Sequence, residues 1–300
     1  MPDTSVVPSR PLVRSFRVGR LTCHALEGGL LRLDGGAMFG VVPKTLWSRK
    51  MVPDERNRLL FAMRSLLVEH PDGLVLIETG LGNKQDAKFL DIYGVENRGT
   101  RGPTQLDDAL LETGYRTDQL KWVINTHLHF DHAGGNTVRA EDGSIKLTFE
   151  KATYVIQRRE LDFARHTNER TQASYLSPNF EPVAAAGRWR LLDGDQEVVP
   201  GIRVKMTPGH VPFHQSVVVS DQGETLVYLG DIIPTSAHLP LPYIMGYDLE
   251  PLRTLETKRA LLKEAAQQEW WLFFGHDAGV VRGKLDAQGK EMRDVLRADG

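Results

Sequence analysis

The chain has 300 residues, with 37 Lys and Arg against 39 Asp and Glu, a formal net charge of -2, and 41% hydrophobic residues. This balance excludes the basic excess expected of a nucleic-acid binder, and the length allows a substantial core without disulfides or structural metals as staples. Any metal is therefore expected to serve chemistry rather than folding.

Cys23 is the one cysteine, so no intrachain disulfide is expected and the chain suits a reducing, cytoplasmic setting. No apolar run approaches the length of a membrane span, and the N-terminal stretch has no continuous apolar segment of the signal-peptide kind. No repeat, low-complexity tract or long linker divides the sequence. Residues 1–300 are expected to form one domain with a decorated N-terminal region.

In chain order, Phe16–Glu27 and the segment around Leu30–Leu33 read as strands, with turns at Gly28-Gly29 and Asp34-Gly35-Gly36. Leu59–Glu69 and Leu74–Glu78 read as a hairpin through Pro71-Asp72-Gly73. Thr104 to Asp107 opens a helix as a capping box, with Leu106, Ala109 and Leu110 as its apolar stripe and Gly114 as its stop. Trp122-Val123-Ile124 is a short buried strand. Further strands are expected at Ala152–Gln157, Ile202–Met206, Ser216–Val219, Thr225–Leu229 and Trp270–Phe274. Pro251–Gln268 reads as a helix whose apolar side carries Leu252, Leu255, Ala260, Leu261 and Ala265. Strands with interspersed helices imply packed sheets covered by helices.

Directly after Ile124 stands His127-Leu128-His129-Phe130-Asp131-His132. On an extended segment, positions 127, 129 and 131 project to one side, and Gly134-Gly135 give the chain freedom to turn His132 elsewhere. Neutral imidazoles with a carboxylate are a ligand set that borderline divalent ions accept. Such a string arises by chance on the order of once in a thousand chains. Three more strand ends deliver ligand types: Thr207-Pro208-Gly209-His210, Leu229-Gly230-Asp231 and Phe273-Phe274-Gly275-His276. One site at one sheet edge is the economical reading.

The run Thr126–Gly135, followed by TPGH, GD and GH in this order, resembles the metallo-β-lactamase superfamily over nearly the whole chain. The resemblance implies an α/β protein of four layers, an αβ/βα sandwich, with two divalent ions at one sheet edge. Carried over by position, one ion takes His127, His129 and His210, the other Asp131, His132 and His276, and Asp231 bridges them. Zinc is the expected metal, with manganese, cobalt and iron compatible. Two ions sharing an oxygen suit hydrolysis, and Asp131 is the expected proton carrier.

The stretch Asp34–Trp47 and the stretch Gly230–Asp248 are similar to the N-acyl-homoserine-lactone lactonase branch, which includes methyl-parathion-type hydrolases. That similarity implies a loop, about residues 34–60, folded over the metals. Met38, Phe39, Trp47, His238 and Tyr243 then line an acyl-chain pocket. For Met38, Phe39, Val41, Val42 and Trp47 the competing reading is core or dimer contact. Two positions depart from the branch. Glu78 stands where Asp is usual beside a metal-binding His, and Pro234 stands where a Tyr is usual, so that tyrosine's role does not transfer. His214 matches a frequent second histidine of the motif that is not a ligand.

The expected function is a metal-dependent lactonase acting on a small molecule, without nucleic-acid or membrane partners, and dimeric through its N-terminal region. The alternative on the same metals is a phosphotriesterase or arylesterase. A mono-iron oxidoreductase of the same fold is a third reading.

Overall fold

The computed structural model describes residues 11–289 and 291–299. Its first half runs β1 (Val13–Val18), β2 (Leu21–Asp34), α1 (Gly35–Phe39), α2 (Lys44–Trp47), β3 (Arg58–Glu69), β4 (Leu74–Ile77), α3 (Ala87–Ile92), α4 (Gln105–Glu112) and β5 (Leu120–Ile124). It continues with α5 (Phe130–Ala133), β6 (Thr137–Arg139), β7 (Ile145–Leu147), β8 (Thr153–Gln157), α6 (Arg158–Arg165), α7 (Glu181–Ala185) and β9 (Trp189–Leu192). The second half has β10 (Gln196–Val199), β11 (Ile202–Met206), β12 (Gln215–Asp221), β13 (Glu224–Tyr228), α8 (Pro251–Gln267), β14 (Trp271–Phe273), β15 (Val280–Leu285) and β16 (Met292–Arg297).

Strands β1, β2, β3, β4, β5, β8 and β9 form one seven-stranded sheet in that order, and β10 to β16 form a second seven-stranded sheet. The period-two alternation of each strand decides which core a side chain enters. On β3, Leu66 and Val68 face Val217, Val219 and Phe273 of the other sheet, whereas Leu67 faces Leu106, Ala109 and Leu110 of α4. On the second sheet, Val218, Val227 and Leu272 turn outward onto Leu261, Leu262 and Ala265 of α8. Helix, sheet, sheet and helix therefore stack as the four-layer αβ/βα sandwich expected.

Several local expectations need correction. Gly28-Gly29 is not a turn. It lies within β2, where the register against β3 shifts between Glu27 and Leu30, and Leu30 exchanges backbone bonds with Glu96. The first hairpin turns earlier, between Val18 and Leu21. The Asp34-Gly35-Gly36 turn is the start of α1, with the Asp34 carboxylate accepting from the Ala37 N–H. Helix α8 buries Thr254, Lys258, Leu261, Leu262 and Ala265, while Leu252 is 78% exposed. Lys258 takes an inward place because its ammonium donates to the carbonyls of His238, Pro240 and Tyr243 at 2.7, 3.1 and 2.8 Å. The capping box of α4 forms as read, Thr104 with Asp107.

Among the described residues, no helix is long and apolar enough to cross a membrane. Cys23 is buried, and burial pushes its thiol up to about 12. It is therefore an inert thiol at neutral pH.

Candidate metal centre

Four strands of this sandwich end at one edge: β5, β11, β13 and β14, each followed within four residues by His127, His210, Asp231 or His276. In the 126–135 segment, His127 and His129 precede the helical turn, with His129 on extended backbone. Asp131 and His132 belong to the single turn α5, which starts after His129. Alternation alone therefore does not aim Asp131; a helical turn does. Nor do Gly134 and Gly135 serve by flexibility, because neither has positive φ. They serve by size: a Cβ on either would come within 2.1 Å of the carbonyl oxygen of Leu81 or Thr79.

The structure brings all seven expected side chains together. Ligand atoms of His127, His129 and His210 lie within 4.8 Å of one another, and so do those of Asp131, His132 and His276. Asp231 stands between the two groups. Its Oδ1 is 3.3 Å from His132 Nε2 and 3.1 Å from His276 Nε2, while its Oδ2 is 3.4 Å from His210 Nε2. Asp131 Oδ2 is 3.6 Å from His276 Nε2.

The donor atoms fit cations better than they fit one another. His127 Nε2 and Asp231 Oδ1 are buried without a hydrogen bond. His210 Nε2 meets His129 Nδ1 at 3.1 Å, and His276 Nε2 meets His132 Nε2 at 3.0 Å. Two ligands on a tetrahedral zinc, each at 2.0–2.1 Å, stand about 3.3 Å apart. The observed separations are close to that spacing.

Behind the cluster, oxygen acceptors hold the rings. His132 Nδ1 donates to Glu78 Oε2 at 2.9 Å, His210 Nδ1 to Asp248 Oδ1 at 3.0 Å, and His276 Nδ1 to the Ala62 carbonyl at 2.7 Å. A carboxylate or carbonyl accepts only, so each of these rings keeps its Nε2 lone pair for the cluster. Glu78 uses its second oxygen on the Thr126 N–H and adopts a positive φ of 67°. The longer side chain at this position thus still reaches its histidine.

Charge follows the same pattern. Burial lowers the pKa of His127 and His129, aided by the neighbouring imidazoles, and keeps both neutral. For His132, His210 and His276 burial is the largest influence and opposes charge, but the surrounding carboxylates together outweigh it and raise all three: Asp231 with Asp131 and Glu78 at His132, with Asp248 at His210, and with Asp131 at His276. Asp231 is driven well down in return, against its own burial, by His132, His276 and His210. A concentrated site for positive charge results.

His214 stays outside the cluster, as read. Its Nε2 accepts from the Asp231 backbone N–H at 3.1 Å, its Nδ1 pairs with Thr207 Oγ1 at 2.8 Å, and burial holds it down to about 3. Gly230 has φ 58°, and a Cβ there would sit 2.5 Å from that His214 Nε2. This is why a glycine precedes Asp231.

Over the cluster opens a cavity lined by His129, Asp131, His210, Asp231 and His276 together with apolar Leu33, Met38, Phe130, Met245 and Leu249. Of the five residues expected to form the acyl pocket, Met38 lines it. Phe39, Trp47, His238 and Tyr243 form a layer behind it. Phe39 stacks on His238 at 4.5 Å and on Trp47 at 5.5 Å, Tyr243 meets its edge at 5.8 Å, and His238 Nε2 pairs with the Met38 carbonyl at 2.9 Å. The aromatic run packs inward because α1 and α2 need a core of their own.

The sequence reading missed Tyr93, Arg170, Ser174 and Tyr247, which also line the cavity, and Asp248, whose only signal was its place at the end of the 230–248 string. It also missed Glu160. This buried carboxylate accepts from the Leu128 N–H at 3.1 Å and the Tyr175 hydroxyl at 2.9 Å. Burial pushes it up from 4.5 to about 7. A folded-state pKa above the unfolded one means that its contribution is fully present below pH 4.5 and lost as pH rises through about 7. Glu160→Gln should remove that slope. Relative to wild type, its stability should gain about 3 kcal/mol between acid and mildly alkaline pH in paired denaturation curves; parallel curves would contradict this reading.

Stacked sheets with an imidazole and carboxylate cluster at their shared edge define a metallo-hydrolase of the αβ/βα class. The sequence model of the Metallo-beta-lactamase superfamily matches residues 64–276, and the chain belongs to that superfamily. It is 31% identical over 236 residues to the N-acyl homoserine lactonase of Bacillus cereus, covering 76% of this chain and 86% of that protein. A probable metal-dependent hydrolase from Staphylococcus aureus superimposes with a TM-score of 0.87 at 30% identity, covering 94% of this chain and 98% of the other. AidC, a dizinc quorum-quenching lactonase in complex with a product, shares the fold with a TM-score of 0.77 at 19% identity, covering 95% and 98%.

Proposed function

We propose that this chain is a dinuclear-metal lactonase that opens N-acyl-homoserine lactones or related small lactones. The observation that carries the reading is Asp231, whose two oxygens face two separate ligand groups. His127, His129 and His210 would hold one ion, Asp131, His132 and His276 the other, with Asp231 between them. The nitrogen-rich, oxygen-completed set favours zinc. Bound there, a pair of divalent ions supplies a nucleophilic oxygen at neutral pH and polarises the substrate carbonyl.

The chain's own residues do the rest. Asp131 faces the cavity beside His276, placed to accept the proton released on attack and return it to the departing alkoxide. Leu33, Met38, Met245 and Leu249 give an acyl chain an apolar wall. We read residues 1–300 as one hydrolase unit, with segment 34–60 at the cavity rim. The exposed Val41, Leu46 and Val52 on that segment support a homodimer through this face. The lone thiol fits the cytoplasm.

Tyr93 and Phe130 in the cavity wall would also receive an aryl group, which favours an arylesterase or phosphotriesterase as second reading. One screen decides: N-acyl-homoserine lactones, aryl esters and phosphotriesters, run under nitrogen with elemental analysis of the same sample. Two ions per chain and lactone turnover are expected. One iron per chain with oxygen consumption would replace the hydrolase reading by an oxidoreductase.

Phe39→Leu, by unseating the layer behind Met38, should shift acyl-chain-length preference several-fold, roughly the effect of a methylene or two in an apolar pocket. Metal content should stay at the wild-type value. Profiles of kcat/KM against chain length test this, and an unchanged profile with reduced metal would place Phe39 in support of the cluster instead.

A further inference from the structure

The cavity holds more than metal ligands and apolar wall. An ester carbonyl gains negative charge on its oxygen during attack, and a donor held in place before the reaction is what lowers that barrier. The segment following Asp231 supplies none from its side chains, because Ile232, Ile233 and Pro234 are apolar. Tyr93 lines the same cavity as Asp231. Its ring packs against Phe89 and Phe130, with centroids 4.5 and 5.2 Å away, and those two rings meet each other at 5.0 Å. Phe130 is the residue between His129 and Asp131, so the tyrosine is packed directly onto the metal-binding turn. Its backbone is tied as well: the carbonyl accepts from the Arg32 N–H at 2.6 Å and the N–H donates to Phe89 at 3.1 Å.

We propose that Tyr93 is a catalytic residue of this site, its hydroxyl donating a hydrogen bond to the substrate's carbonyl oxygen as that oxygen becomes negative. The assignment rests on the ester- or lactone-hydrolase reading above. Among the described residues, the Tyr93 hydroxyl has no hydrogen-bond partner, although the residue lines the cavity. A phenol, with an ordinary pKa of about 10, holds its proton at neutral pH and is free to donate it in a hydrogen bond. The other candidate donors are placed less well. Tyr247 also lines the cavity, but among the described residues no aromatic contact ties its ring to the metal-binding turn as Phe130 ties that of Tyr93. Arg170 is exposed, with Nη2 held by the Gly246 carbonyl at 2.8 Å. The Tyr175 hydroxyl is engaged by Glu160 at 2.9 Å.

The test is Tyr93→Phe, which removes one oxygen and keeps the ring packed against Phe89 and Phe130. With metal content unchanged, kcat should fall by about 100-fold while KM moves little, the scale of losing one oxyanion donor. Binding of n-butylboronic acid, which becomes tetrahedral and anionic in such a site, should weaken by at least about 10-fold in calorimetry. A purely structural tyrosine would not move boronate affinity while sparing KM. Equal boronate affinity and equal kcat in wild type and Tyr93→Phe overturn the assignment. The same result with the loss appearing in Tyr247→Phe or Ser174→Ala also overturns it. Boronate binding is measurable without any substrate. A wild type that holds two ions and binds boronate but hydrolyses none of the screened esters therefore counts against the lactonase reading, not against Tyr93.

Discussion

Asp231→Asn should reduce turnover by at least about 1000-fold and lower bound metal from two ions per chain toward one, because in the role proposed for it this carboxylate would both neutralise and space the pair. An asparagine keeps the shape but offers one neutral oxygen, and its nitrogen is no ligand. The change falls where the cluster is most dependent on charge: Asp231 is the largest of the carboxylate influences that together raise His132, His210 and His276 against their burial. In the metal-free variant those imidazoles become neutral, which a buried site accepts readily. The apo fold should thus survive, with circular dichroism matching wild type. Elemental analysis after dialysis, with kcat on the best substrate of the screen, reads both effects. Two ions retained with wild-type kcat would remove Asp231 from the bridge and leave the two groups as separate sites.

The residues legible in the sequence were those whose signal is local. His127, His210, Asp231 and His276 each follow a short apolar strand, so their common edge could be inferred from four independent segments. What sequence could not show was contact between distant segments. Ala62 offers His276 a backbone carbonyl, which leaves no mark on residue type. Asp248 serves His210 from 38 positions away. Tyr93 looks like any helix-end aromatic until Phe130 is placed beneath it. The same limit explains Phe39, Trp47, His238 and Tyr243. Their apolar and aromatic character was visible, but whether they face a ligand or one another depends on how α1 and α2 dock on the 235–246 segment. The bond from the Gly246 N–H to the Ala37 carbonyl at 2.7 Å fixes that docking. Helix α8 is the clearest local misreading: Leu252, read onto its apolar side, is exposed, while Lys258 takes a buried place that becomes reasonable only once the carbonyls it caps are known.

Arg64→Met should destabilise the protein by about 3–5 kcal/mol, the range for breaking a buried ion pair from one side. Arg64 and Glu27 meet at 2.5 Å with side chains 0% and 5% exposed. The guanidinium does more than pair: its Nη1 donates to the carbonyls of Phe274, Asp277 and Val280 at 2.9, 2.8 and 3.2 Å. It therefore binds β3 of the first sheet to the 274–280 segment of the second. Methionine fills much of the space but leaves Glu27 charged and unpaired, with three carbonyls short of a donor. The double variant Glu27→Leu with Arg64→Met tests the division. It removes the stranded charge and should recover part of the loss, while the deficit that remains belongs to the carbonyls. His276 sits inside that same segment, and its backbone carbonyl accepts from the Ala62 N–H at 3.0 Å. Loosening the segment should accordingly weaken metal affinity by about 10–100-fold, as for a lost supporting contact, in both the single and the double variant. Denaturant unfolding of the metal-free proteins gives the stability terms, and competition with a chelator gives the affinity. Full recovery of both by the double variant would mean that Arg64 serves only to neutralise Glu27, and that the 274–280 segment holds His276 in place without it.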